Sequence, residues 1–421
     1  MDVAVIAGII MIISVVVMLV MGVPIGISIG MSSALAMITI LPFGPGIVTC
    51  ARKMFTGVNS FSLLAIPFFI LAGNIMNNGG IAIRLVNCAR LISGRLPGSL
   101  AQTNIVANML FGAISGSGTA AAAAIGGTMA PIELEEGYDK DYVAAVNIAS
   151  APTGQLIPPS NTLIVYATVA GSVSVAALFM AGYIPGIAWG ISLMFIAGYM
   201  AKRRGYVSTF SVTPKEALKV LWDALPSLLL IIIVIGGILK GVFTATEGSA
   251  IAVVYALILS LCYRSLKIKD LPSIILSSCK TTCIVIFMIG VSSIMSWVMA
   301  YTMIPTAIAN AMLSLSSNKY VILLLMNVIL LVVGTFMDPT PAVLIFTPIF
   351  LPICQSFGMD PVQFGIMIVF NLCIGTITPP VGVILFTGCK VVGISIEGVI
   401  KTLLPFFAAI AVVLCLLYTS D

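Results

Sequence analysis

The residues best placed to do chemistry lie in two glycine-proline strings, Gly154-Gln-Leu-Ile-Pro-Pro-Ser-Asn-Thr162 and Gly375-Thr-Ile-Thr-Pro-Pro-Val-Gly382, inside long apolar runs. Tandem prolines delete two backbone donors, so no continuous helix passes through either string. Two more apolar stretches are interrupted, at Ser115-Gly-Ser117 and at Gly334–Thr340. Unpaired amides and carbonyls each cost several kcal/mol in lipid, so broken backbone at membrane depth must be buried in protein or line a cavity. Carbonyls at the C-terminal ends of half-helices, helped by Ser and Thr hydroxyls, suit a sodium ion, whereas half-helix N-termini suit an anion. Glycine lets such carbonyls turn inward at dihedrals a Cβ would forbid. Asp338 is the acid most plainly inside an apolar segment, which marks it as functional by default. The competing reading is a helix cap just before Pro339.

The interruptions repeat. At an offset of 221 residues, Pro131, Ile132, Gly137, Asp139, Gly154, Pro158 and Pro159 recur as Pro352, Ile353, Gly358, Asp360, Gly375, Pro379 and Pro380. Seven identities in 29 ungapped positions, most of them Gly or Pro, indicate a duplicated unit rather than shared hydrophobicity. Paired broken spans at matching places in two halves point to a transporter's binding site. The offset sets Asp338 on Ser117, a carboxylate in one tip and a hydroxyl in the other.

The elements around these breaks must be membrane helices. The chain has 421 residues, 60% hydrophobic and only 8% charged, with a mean hydropathy of +1.20, against roughly a quarter charged in soluble domains. A net charge of +5 would suggest nucleic acid in a soluble protein, but here the basic residues sit in short connectors and act as topology signals. There is no histidine, and the nine cysteines show no metal-ligand spacing, which argues against a structural zinc site or a His-dependent enzyme. The GxSxG-like string at Gly112–Gly118 therefore has no base to make it a hydrolase elbow. The acid-rich segment Glu133–Asp141 lacks the ligand spacing of a calcium loop and reads as a solvated connector.

Spans are expected at about 4–21, 25–41 and 58–77, followed by an Arg84–Arg95 connector placed in the cytoplasm by its charge. A re-entrant hairpin at about 100–132 and a broken span at 142–171 come next, and a span at 175–200 closes the first repeat, residues 1–201. Residues 202–224 read as a cytoplasmic linker with a surface helix beginning at Pro214. The second repeat, 225–421, is expected to carry spans at 225–242, 246–262 and 280–299. A second hairpin at about 320–352, a broken span at 362–388 and a last span near 399–418 complete it. The counterpart of Arg84–Arg95 is Pro305–Ser316, which has no charge, so the repeat is predicted to be inverted. Arg52 and Lys53 then fall on the outer side, a violation that an interfacial helix would absorb by snorkelling. The fold class is thus an all-α polytopic membrane protein with two hairpins and two broken helices.

The stretches FGAISGSGTAAAAAIGGTMAP, GQLIPPSNTLIVYATVAG, GTFMDPTPAVLIFTPIFLP and IGTITPPVGVILF together resemble the large membrane subunit of TRAP transporters, the tripartite ATP-independent periplasmic carriers. SFSLLAIPFFILAGNIMNNGGIA and LFMAGYIPGI are similar to that family as well. The resemblance implies a multi-pass subunit of the bacterial inner membrane that is not an enzyme. It also implies sodium-driven uptake of an organic acid such as a C4-dicarboxylate, sialic acid or another sugar acid. The partners implied are a periplasmic binding protein and a small four-helix membrane subunit, with no nucleic acid and no cofactor beyond sodium as coupling ion. An elevator-type transport domain moving against a scaffold is implied too. By the same motifs, one sodium site would use Ser115, Gly154, Ile157 and Pro158, and the other Gly334, Gly375, Thr378 and Val381. Ser117, Asn161, Asp338 and Thr340 are the candidate substrate contacts. The chain departs from many relatives at Ala121, where they carry an acid. A one-component sodium/dicarboxylate symporter with similar hairpins is the alternative function.

Overall fold

The computed structural model describes residues 3–171, 173–206, 213–315 and 318–419. Among these residues the regular structure is helical throughout, and seven helices are long and apolar enough to cross a membrane. Part of the expected 202–224 linker, residues 207–212, and Ser316 of the uncharged connector lie outside the described residues.

Helix bounds repeat at the sequence offset. Gly118–Glu135 returns as Pro339–Ser356, the start of Lys140–Ser150 as that of Pro361–Thr376, and the start of Val175–Arg204 as that of Ile396–Thr419. Asymmetry enters where the first half breaks a segment that the second keeps whole. Phe43–Val58 and Ala65–Asn78 are separate helices, whereas their counterpart is one helix, Leu271–Tyr301, longer than the expected 280–299. The Asn59-Ser60 turn divides the first segment; the second runs unbroken, its proline at the helix start, where no donor is lost. The surface helix expected at Pro214 and the span expected from 225 likewise form one helix, Pro214–Leu239. It opens on a capping box between Thr213 and Glu216.

Each hairpin reverses through opposed caps. Ser99–Ser115 ends on Gly116 in the left-handed region (φ 61°), and Ser117, extended, accepts from the Ala120 amide to start Gly118–Glu135. A Cβ on Gly116 would lie 2.7 Å from the Pro159 carbonyl, so only glycine lets this tip seat on the broken span. In the second hairpin Lys319–Gly334 ends without a left-handed residue, and Asp338 caps Pro339–Ser356 by accepting from the Thr340 amide at 3.1 Å.

The Glu133–Asp141 segment is exposed at Glu135, Glu136 and Asp139, as its acids suggest, but not at its first residue. Glu133 is fully buried on a helix that continues to Glu135, and its carboxylate accepts from Asn104 Nδ2 at 3.3 and 3.5 Å. Asn108 continues this polar line, donating to Asn104 Oδ1 at 2.8 Å and to Ser150 Oγ at 2.9 Å. Buried polar groups survive when they are bonded to one another in this way. Asp141 is held bidentate by Arg204 at 2.7 and 2.8 Å and also accepts from Thr402 Oγ1. This fork ties the first broken span to the last helix of each repeat.

Candidate functional site

The tandem prolines do more than interrupt the helix. Four residues after Gly154 comes Pro158, and four after Gln155 comes Pro159, so neither carbonyl has an amide to accept from in helical register. Gln155 regains a donor from Ser160 Oγ at 2.5 Å. The Gly154 carbonyl has no backbone donor among the described residues. In the second repeat Pro379 and Pro380 treat Gly375 and Thr376 the same way, and Gly375 accepts in tighter turns, from Ile377 N and from Thr378 N at 3.0 Å. Both Pro-Pro bonds are cis.

Glycine pairs let each hairpin arm touch a break backbone to backbone. A Cβ on Gly154 would fall 2.6 Å from the Gly112 Cα, and one on Gly334 3.1 Å from the Gly375 Cα. The tip of the second hairpin is also bonded to its break, through Gly382 N to the Thr335 carbonyl at 2.9 Å. Thus Gly112, three residues before Ser115, lies against Gly154, the tip's Gly116 against the Pro159 carbonyl, and Gly334 against Gly375. Thr378 Oγ1 donates to Ile374 O at 2.7 Å, which leaves its lone pairs available. Val381 is exposed.

Ser117, Asn161, Asp338 and Thr340 all line one cavity of about 630 Å³, together with Ser115. Three helices begin at its wall, Gly118–Glu135, Asn161–Ala170 and Pro339–Ser356, capped by Ser117, Ser160 and Asp338. Each N-terminus carries the equivalent of roughly half a positive charge, so the walls favour an anion. No lysine or arginine is among the described lining residues. The Asn161 Oδ1 atom is buried without a partner. Asp338 accepts from the Thr340 amide in capping and from the Thr340 side chain as well.

Sequence reasoning did not identify the opposite wall. Ile66, Asn74, Thr281 and Met288 close the cavity from helices Ala65–Asn78 and Leu271–Tyr301, and Asn74 Nδ2 donates to Ser278 Oγ across them at 2.7 Å. Asn74, inside the apolar run Phe68-Phe-Ile-Leu-Ala-Gly-Asn74, was the available signal. Gln155 also lines the cavity, and its place beside Gly154 was a second one.

Paired hairpins, paired breaks and a cavity at the hairpin tips with Ser117, Asn161, Asp338 and Thr340 in its wall mark a membrane transport protein of the secondary-carrier kind. Residues 12–420 match the family model described as the DctM component of the tripartite ATP-independent periplasmic transporter, and the chain belongs to that family. It is a multi-pass protein of the inner membrane. It is 55% identical to the uncharacterized protein YgiK of Salmonella typhimurium over 92% of this chain and 89% of that one. It is 41% identical to the isethionate TRAP transporter permease protein DctMQ of Oleidesulfovibrio alaskensis, over 90% of this chain and 60% of that one. It is 37% identical to the sialic acid TRAP transporter large permease protein SiaM of Vibrio cholerae, over 90% of each. The fold is that of the Alcanivorax borkumensis YdaH transporter crystal structure, at a TM-score of 0.63 and 14% identity over 89% of this chain and 88% of that one.

Proposed function

We propose that this chain imports a small organic anion by sodium symport, receiving it from a periplasmic binding protein and working beside a small four-helix membrane subunit. The observation that carries this reading is the tip cavity, where three helix N-termini face a space with no basic side chain among the described lining residues, near the Gly154 carbonyl that Pro158 leaves without a backbone donor. An anion there needs a positive counter-charge, and sodium held at Ser115, Gly154, Ile157 and Pro158 and at Gly334, Gly375, Thr378 and Val381 supplies it. Isethionate and sialic acid, in the relatives' names, are both organic anions. Vesicles containing the chain and its small partner test the reading. Uptake is expected with sodium outside and binding protein present; equal uptake with potassium, or with free anion alone, contradicts it.

The two repeats are inverted, and the hairpins and breaks move together, elevator-fashion, against the remaining spans. The test is thiol labelling on a background without the nine native cysteines. Single cysteines at Arg95 and Thr306, both exposed, are expected to react with an impermeant reagent from opposite sides of the membrane. Labelling of both from one side contradicts the inversion.

A further inference from the structure

A second cavity, of about 680 Å³, lies beyond the first along the same two helices. Leu271–Tyr301 lines the tip cavity with residues 281–288 and the second with 289–300, while Asn161–Ala170 lines the first with residues 161–165 and the second with 167–169. The two linings share no residue and succeed one another along the helix, the first ending at Met288 and the second beginning at Ile289. Met288, Ile289 and Val165 stand between them.

The chemistry of the outer chamber differs from that of the inner one. Lys53 lines it, half-buried, with no ion-pair partner among the described residues. Thr56, Ser60, Ser296 and Trp297 surround it, and Ser292 opens into it. Ser292 is only 2% exposed, yet its hydroxyl oxygen has no hydrogen-bond partner. A buried hydroxyl left unbonded costs about 1–3 kcal/mol, a penalty that a polar ligand in the chamber removes. The far wall, Thr168 and Leu344, belongs to the broken span and the second hairpin, so the chamber bridges the parts proposed to move and those proposed to stay.

We propose that the Lys53 chamber is an outer site for a small organic anion, occupied before the tip cavity on the way in. Its ligand class and its outward side rest on the transport reading above. Lys53 supplies the positive charge that the tip cavity lacks, and the unpartnered Ser292 hydroxyl donates to the anion's oxygens.

The test reads binding, so failure of sodium coupling leaves it intact. The full chain in phosphatidylcholine nanodiscs is treated with an acetylating reagent, and Lys53 modification is followed by mass spectrometry against Lys280 as internal standard. Isethionate, succinate and N-acetylneuraminate are the probes, each at 10 mM. For a Kd of about 1 mM, at least one slows Lys53 labelling about tenfold and leaves Lys280 unchanged. Ser292→Ala weakens that protection, and Ser117→Ala in the tip cavity leaves it in place. No protection by any probe overturns the proposal. So does protection that vanishes with Ser117→Ala, which assigns the effect to the inner cavity, or slowing that requires phosphatidylglycerol and no added anion, which makes the chamber a lipid headgroup site.

Discussion

Gly154→Ala is expected to cut uptake about ten- to a hundredfold while the protein still reaches the membrane. The added Cβ has one place to go, 2.6 Å from the Gly112 Cα, inside a contact between two backbones that no rotamer change can relieve. Overpacking of this kind costs about 1–3 kcal/mol, and each 1.4 kcal/mol is tenfold in an equilibrium. The strain falls where the donor-free Gly154 carbonyl must be aimed, so sodium binding carries the loss. Gly127→Ala is the control: its Cβ meets nothing within 4 Å, and normal uptake is expected. Parent-like uptake and sodium midpoint in Gly154→Ala, measured in the vesicles above, would remove Gly154 from the cation site.

Asp338→Asn is expected to keep the fold and lose most of the sodium dependence. The cap alone does not need the charge, because asparagine accepts from the Thr340 amide as well as aspartate does. The charge matters for what lies in the cavity. Asp338 lines it beside Ser117 and Thr340, so an entering anion meets a carboxylate that must be offset by a cation nearby. Opposite unit charges at about 4 Å attract by about 4 kcal/mol at an effective dielectric near 20, enough to make anion and sodium binding strongly interdependent. Removing that carboxylate weakens sodium at the second tip and with it the coupling. Sodium-dependent uptake that matches the parent in rate and midpoint leaves Asp338 as a cap only.

Much of this architecture was legible because Gly and Pro act locally. The double prolines had to break their helices, the 221-residue echo paired the two breaks, and the interruptions at Ser115–Ser117 and Gly334–Thr340 marked the hairpin tips. The cavity's tip wall followed, since Ser117, Asn161, Asp338 and Thr340 all flank those breaks. The scaffold wall was not legible. Asn74 meets Ser278 across 204 residues, and no periodicity within either helix announces that pairing. Glu133 was misread for a related reason. Three acids within four residues resemble a water-facing connector, yet Met129, Ala130 and Glu133 share one buried helix face, where Asn104 from the other hairpin arm satisfies the carboxylate. Lys53 read as a charge on the wrong side of the membrane; the chamber it lines is built by segments more than a hundred residues away.

The sodium titration of uptake in vesicles holding the chain, its small partner and the binding protein tests the central claim most directly. With a cation site in each repeat, uptake is predicted to rise sigmoidally with sodium, to move more than one sodium per anion and to vanish in potassium. Uptake that is flat across the same sodium range, with the anion still accumulating, would contradict the account.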